Sequence, residues 1–335
     1  MSVKIITGAI GAGKTRFCID ELRKTHNDNP DTRCIMLVPS HYSHETERML
    51  INEFGGTGLN NIECTSFEKL ARELLPKTAK RLGASGKNAL VCRAISMTLS
   101  QIQNDNEQLD RRIVRAISKR GFVDVAASLI SEMHRYNVKY DTLNEYAKSE
   151  QNPVLAQKLK VLSYISEKYD TLLTSADYVD ADDDLSRLAS VICNHFKNCD
   201  KIWIDKFDEF LPQQFEVVRA LIDSGADITI TFNTSNSNTY YATKNTVSAL
   251  CDYTDAKLVH LDSKMTHINA PDLKFLFSTW FDRTVYNDKC TNIEIFASRD
   301  AYTETEHTAR KILDLVREHN YRFCDIGILC GTEDE

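Results

Sequence analysis

Residues Gly8-Ala9-Ile10-Gly11-Ala12-Gly13-Lys14-Thr15 spell G-x-x-x-x-G-K-T, the spacing of a phosphate-binding loop. The residue types set the chemistry. Glycines let successive backbone N–H groups turn inward around the α- and β-phosphates of a nucleotide. Lys14 brings a cation to the β- and γ-phosphates, and the Thr15 hydroxyl is a ligand for Mg2+. The apolar run Val3–Thr7 precedes the loop and a helical pattern follows from Lys14 to about His26, so the motif has the strand–loop–helix setting that it needs. ATP with Mg2+ is the expected cofactor pair.

Nucleotide hydrolysis also needs an acidic group beside the metal and a group that positions the attacking water. Ile202-Trp203-Ile204-Asp205 is a short apolar strand ending in an acid, and Asp205 is the expected Mg2+ partner of Thr15. The next residue is Lys206, which cannot act as a base and would add positive charge near the metal. Asp208 and Glu209, three and four residues beyond Asp205, reach the site only if the loop shifts. The expectation is ATP–Mg2+ binding with slow turnover or none.

The elements around these residues read as α/β. Val3–Thr7, Arg33–Val38 and Ile62–Ser66 are expected strands, separated by helices over 14–26 and Ser43–Phe54 and followed by a helix over Phe67–Leu75. From about Gly86 to His195 strand signals vanish, and Ala89–Ile102, Phe122–Tyr136, Leu143–Ala147, Leu155–Leu173 and Leu185–Phe196 read as amphipathic helices. Asp177–Asp184 reads as a solvated acidic connector. Strands return at Lys201–Ile204, Asp227–Phe232, Ala256–Leu261, Ile293–Ala297 and Ile326–Leu329, with helices over Leu211–Ile222, Leu273–Trp280 and Thr303–His319. The expected architecture is a RecA-like P-loop domain with a parallel sheet (1–82 and 197–285), an all-helical insertion (83–196) and the beginning of a second RecA-like domain (286–335). A second domain that stops so soon leads to the expectation that the chain is the N-terminal piece of a longer protein.

The 335 residues are 42% hydrophobic and 27% charged, ordinary for a globular protein, and the net charge of −7 excludes a protein coated in basic surface but not a local basic groove. No apolar run approaches the ~18 residues of a membrane span, and the N-terminus reads straight into a strand without a secretory leader. The ten cysteines contain no C-x-x-C pair and read as reduced, mostly buried thiols, so a cytoplasmic location is expected.

The chain resembles the N-terminal region of the AddB/RexB subunit of bacterial ATP-dependent helicase–nucleases. The resemblance is carried by Thr7–Thr15, Leu37–Leu50, Thr65–Ala71, Gly121-Phe122, Lys158-Leu159, Asp182–Leu188, Ile202–Phe207, Phe210–Gln214 and Tyr321–Leu329, which span nearly the whole length. It implies a superfamily 1 helicase-like fold and an inactive motor. The implied heterodimer partner is the A subunit, the active translocase, with which it would process double-strand DNA breaks. The resemblance also implies a nuclease domain and an iron–sulfur cluster, both beyond Glu335. The chain departs from the family pattern at Lys206, where Gly is frequent.

By the same resemblance, Pro39–Ser43 and Cys64–Phe67 match positions where such helicases touch single-stranded DNA. Ser40, Thr65 and Ser66 suit phosphate oxygens, and His41, Tyr42 and Phe67 suit stacking on bases. Ser43 and Ser66 equally read as helix N-caps, and the two roles are compatible. Two basic groups, Lys77, Lys80, Arg81, Lys87 and Arg93, then Arg111, Arg112, Arg115, Lys119 and Arg120, read either as DNA contacts or as solvated helix faces. His134, Tyr136 and Tyr140 lack metal-ligand spacing and read as ordinary surface or core residues. An active superfamily 1 helicase and a P-loop small-molecule kinase are the alternatives. The first needs a catalytic acid next to Asp205, and the second should ignore DNA.

Overall fold

The structure, a computed structural model, describes residues 2–55, 61–76, 80–104, 109–119, 121–196, 200–234, 241–262, 268–280 and 284–330. Two compact units divide at Lys264/Met265.

In the first unit the elements run β1 (Val3–Gly8), α1 (Lys14–Asp28), β2 (Cys34–Leu37), α2 (Ser43–Phe54), β3 (Ile62–Thr65) and α3 (Phe67–Leu74). Then come β4 (Lys80–Arg81), α4 (Ala84–Asn104), α5 (Arg111–Ile117), α6 (Phe122–Arg135), α7 (Tyr140–Ser149), α8 (Pro153–Ser175), β5 (Tyr178–Val179) and α9 (Asp184–Val191). The unit closes with β6 (Lys201–Ile204), α10 (Pro212–Asp223), β7 (Asp227–Asn233), α11 (Tyr241–Tyr253) and β8 (Ala256–Leu261). Six strands form one sheet in the order β3-β2-β6-β7-β1-β8, and every pairing in it is parallel. A parallel sheet must be covered on both faces, and the alternation along each strand shows how. Ile35, Leu37, Ile202, Ile204, Ile228 and Ile230 point into a core shared with α3, α9 and α10. Cys34, Met36 and Trp203 point the other way, against Cys18 and Leu22 of α1 and Leu50 of α2.

The helices α4, α5, α6 and α8 bury their own core around Val91, Ile95, Ile130, Ile165 and Tyr169. α8 starts on a strong signal, with the Asn152 carboxamide oxygen accepting from the N–H groups of Val154 and Leu155 and Pro153 in the first turn. The small ladder β4–β5 joins the entry of this helical region to its exit.

The connector between α8 and α9 is solvated only in part: Asp177 and Tyr178 are exposed, but the carboxylates from Asp180 onward are taken up by the fold. Asp180 is buried at 3% exposure, and its carboxylate accepts from the Tyr169 hydroxyl at 2.6 Å and pairs with the Lys87 ammonium at 2.8 Å. Lys87 also pairs with Asp182 at 2.5 Å and donates to Ser131, so it leaves the set of candidate DNA contacts. His134, far from an ordinary surface residue, sits between Asp183 at 2.7 Å and Asp170 at 3.7 Å. Burial pulls its pKa down, but the hydrogen bonds and charges of Asp170 and Asp183 outweigh that and raise it to about 10. Arg81 and Arg187 both pair with Asp184, and the Gln213 side-chain N–H of α10 donates to the Asp182 carbonyl.

The second unit holds α12 (Pro271–Thr279) and α13 (Ala301–Glu318). The Asp272 carboxylate accepts from the backbone of Leu273, Thr291 and Asn292, and α13 is capped by Asp300. The strands expected at Ile293–Ala297 and Ile326–Leu329 do not form: these stretches have no regular structure, and no strand lies beside them among the unit's described residues. Alternation of apolar residues cannot supply a hydrogen-bonding neighbour. The thiols also correct the expectation from composition. Cys18, Cys34 and Cys64 are buried, whereas Cys92, Cys193, Cys251, Cys290, Cys324 and Cys330 are exposed, and Cys199 lies outside the described residues. No helix among the described residues is long and apolar enough to cross a membrane.

Candidate nucleotide site and the adjoining strand ends

Parallel strands β1, β6 and β7 end together, and the site is built where they do. β1 runs directly into the loop at Gly8, and α1 starts at Lys14 with Gly13 as its N-cap residue. Gly11 and Gly13 adopt φ of 78° and 88°, a left-handed backbone that disfavours side chains. At Gly8 the constraint is space: a Cβ there would come within 2.6 Å of the Leu261 carbonyl oxygen in β8, whereas one on Gly13 would meet nothing within 4 Å.

Lys14 is buried at 8% exposure and folds back on the loop, its ammonium donating to the carbonyls of Gly8 at 3.0 Å and Ala9 at 2.7 Å. Burial lowers its pKa, opposed by the charges of Asp205 and Asp208. Among the described residues its hydrogen-bond partners are neutral carbonyls, so it is a cation that an anion can recruit.

Asp205 is buried at 2% exposure and lies under the loop. One carboxylate oxygen accepts from the Thr15 hydroxyl at 2.7 Å, and the other accepts from the Thr231 hydroxyl of β7. The sheet register explains the second contact. Ile6 pairs with Thr231 and Ile204 with Ile230, so the residue after Ile204 stands beside Thr231. The sequence reading missed Thr231. Its signal was the alternation Ile228-Thr229-Ile230-Thr231-Phe232, which puts both threonines on the face of β7 opposite its isoleucines.

A hydroxyl and a carboxylate facing each other below a phosphate loop fit Mg2+, which keeps waters and nucleotide oxygens for most of its shell. Among the described residues no group of three or more His, Cys, Asp or Glu side chains could hold a metal by itself. Asp208 accepts from the Asn233 side-chain amide at 2.8 Å, and its charge reaches Lys14. Glu209 is exposed.

Lys206 does not point its charge at the Thr15–Asp205 pair. It adopts φ of 67°, the left-handed region, which is the physical reason that glycine suits this position. Its ammonium lies 4.5 Å above the Tyr42 ring and 3.1 Å from the Glu45 carboxylate. Ser40–Tyr42 form a single 3-10 turn after β2 that leads into α2, so the residue after Asp205 touches the segment expected to meet DNA.

The DNA candidates separate by burial. Ser40 and His41 are exposed, and Tyr42 is exposed at 36% with the His41 ring tilted against it at 4.2 Å. Thr65 and Ser66 are buried at 0% and 3%. Ser66 is the N-cap of α3, its hydroxyl oxygen accepting from the Lys69 N–H at 3.2 Å. Ser43 is already the first residue of α2 and caps nothing. Phe67 is fully buried, edge-on to Phe207 at 5.3 Å and Phe210 at 6.3 Å, so its ring belongs to the core and is closed to a base. Among the basic residues, Lys80, Arg93, Arg111, Arg115 and Lys119 are exposed, Arg112 pairs with Asp110 at 2.9 Å, and Lys77 and Arg120 lie outside the described residues.

The fold and the loop define a protein of the α/β class whose parallel sheet presents a G-x-x-x-x-G-K-T turn at its strand ends. The chain belongs to the family described as ADDB, N-terminal, whose model matches residues 5–276. It is 29% identical over 99% of its length to the B subunit of the ATP-dependent helicase/deoxyribonuclease of Clostridium acetobutylicum. It is 27% identical over 98% to the B subunit of the same name from Clostridium novyi, and 29% over 98% to that of Thermoanaerobacter pseudethanolicus. The chain spans 30% of the length of each of these relatives.

Proposed function

We propose that this chain is the ATP-binding, helicase-like part of the B subunit of an ATP-dependent helicase/deoxyribonuclease that works with its A subunit partner on broken DNA ends. The nucleotide-binding part is RecA-like and comprises 1–82 and 197–285, with 83–196 as the helical insertion and 286–335 leading towards a second α/β part. One observation carries the nucleotide reading: Thr15 and Asp205, 190 residues apart, meet at 2.7 Å beneath a glycine loop that holds a buried lysine. Lys14 would exchange two carbonyls for phosphate oxygens, and Thr15 and Asp205 would hold Mg2+, which neutralises phosphate charge when bound. Ser40, His41 and Tyr42 form the exposed part of the DNA path. The motor is inactive, because the residue after Asp205 is a lysine engaged elsewhere.

Calorimetry with ATP–Mg2+ tests the reading. Lys14→Ala should abolish measurable binding while circular dichroism stays native, and unchanged affinity would remove the assignment. A second reading, an active motor, is favoured by one observation: Asp208 is held by Asn233 within reach of Lys14's charge. DNA-stimulated ATP turnover that disappears in Asp208→Asn would establish it over the inactive motor, and turnover indifferent to DNA would point to a kinase.

A further inference from the structure

The strand ends carry a cation that no nucleotide role uses. Where a P-loop ATPase needs a water-positioning carboxylate, this chain has Lys206, and the local backbone turns it away from the Thr15–Asp205 pair. Its side chain is 17% exposed and bridges two groups of different exposure: the Tyr42 ring, 36% exposed, and Glu45, whose side chain is 69% exposed. The neighbouring polar groups follow the same pattern. The Ser40 hydroxyl donates to the Glu68 carboxylate at 2.5 Å, and Lys69 pairs with Glu47 at 3.8 Å. Glu45, Glu47 and Glu68 are all exposed. At each place a group suited to a phosphate holds a solvent-facing carboxylate, a partner that another anion can replace.

We propose that Lys206 is a backbone-phosphate contact for single-stranded DNA, with the Glu45 carboxylate holding the position that the phosphate takes. The role presupposes the DNA path over Ser40–Tyr42 proposed above. Entry of DNA breaks the Lys206–Glu45 pair and forms a Lys206–phosphate pair, while Tyr42 keeps the ammonium in place. Asp205 and Lys206 are adjacent, so the metal-facing acid and the DNA-facing cation share one turn of backbone.

Fluorescence anisotropy of labelled oligothymidylate with the 335-residue chain tests this, at about 50 and about 200 mM salt. Lys206→Gln should weaken binding about three- to tenfold at low salt and reduce the slope of log affinity against log salt by about 0.7, the share of one phosphate contact on a single strand. Lys206→Gly, which suits the left-handed backbone, should do the same and guards against misfolding; Lys206→Arg should keep the slope. Glu45→Gln should strengthen binding in the natural chain and have no effect beside Lys206→Gln. If the Lys206 variants match the natural chain while Ser40→Ala or His41→Ala weakens binding, the path stands and the role of Lys206 is overturned. If the natural chain shows no saturable binding to oligothymidylate, the path and the Lys206 contact both fall.

Discussion

Two acidic places in the first unit are built in opposite ways. At the strand ends, Asp205 is at least as buried as Asp180 of the connector, yet it is bonded to two hydroxyls. In the connector, the carboxylates of 180–184 are met by Lys87, His134, Arg81, Arg135 and Arg187. A carboxylate bonded to neutral hydroxyls keeps its charge available to a metal; one matched by cations has spent it on the fold. A cavity of about 590 Å3 opens beside the connector, lined by His134, Asp170 and Asp183, so open volume does not mark the place with chemical capacity here.

The comparison can be broken by thermodynamics. Removing a cation from the connector should be costly, because buried charges lose their partner. Lys87→Met should destabilise the chain by about 3–5 kcal/mol in chemical denaturation, and a loss below about 1 kcal/mol would class the network with surface pairs. His134 sharpens the contrast through pH. Its folded pKa of about 10 lies above the ordinary 6.5, so its stabilisation is complete below pH 6.5 and is lost as pH rises through 10. Stability should decline over that window by at most about 1.4 kcal/mol per pH unit, and His134→Gln should flatten the decline. The smallest effect should be at the strand ends. Asp205→Asn retains hydrogen bonding to Thr15 and Thr231 and should change stability by about 1 kcal/mol or less, while ATP–Mg2+ affinity falls. An Asp205 variant as damaging to the fold as Lys87→Met would erase the distinction.

The nucleotide loop was legible in the sequence because its geometry is local: Val3–Gly8, the glycines and the start of α1 lie within a few residues of each other. The sheet was legible from apolar runs such as Ile202-Trp203-Ile204. The connector was not. Lys87 and Asp180 are 93 residues apart, and a run of aspartates looks the same whether solvated or paired. Phe67 reads as a base-stacking ring because its segment matches a DNA-contact position of the resembling helicases, yet Phe207 and Phe210, which enclose it, come from the far side of the helical region. The helix α11 escapes a sequence reading because Thr243, Asn245, Thr246 and Ser248 lower its local propensity, and burial of Thr243, Thr246 and Leu250 overrides that. Lys206 reads by charge alone; its direction depends on a backbone torsion that a lysine does not announce.

The approach of β8 to Gly8 gives the edge strand a part in the candidate nucleotide site without lending it a side chain. The wall beside the first glycine of the loop is the Leu261 backbone, and Thr7 on the same edge bonds His260 at 3.1 Å. Two glycines of one motif are therefore fixed by different authorities, one by the torsion of its own bond and one by the proximity of a strand more than 240 residues later in the chain. The practical boundary of the smallest piece that keeps the loop's setting is thus set by main chain: a version cut before Ala256 would keep every residue of the motif and lose the surface that shapes it.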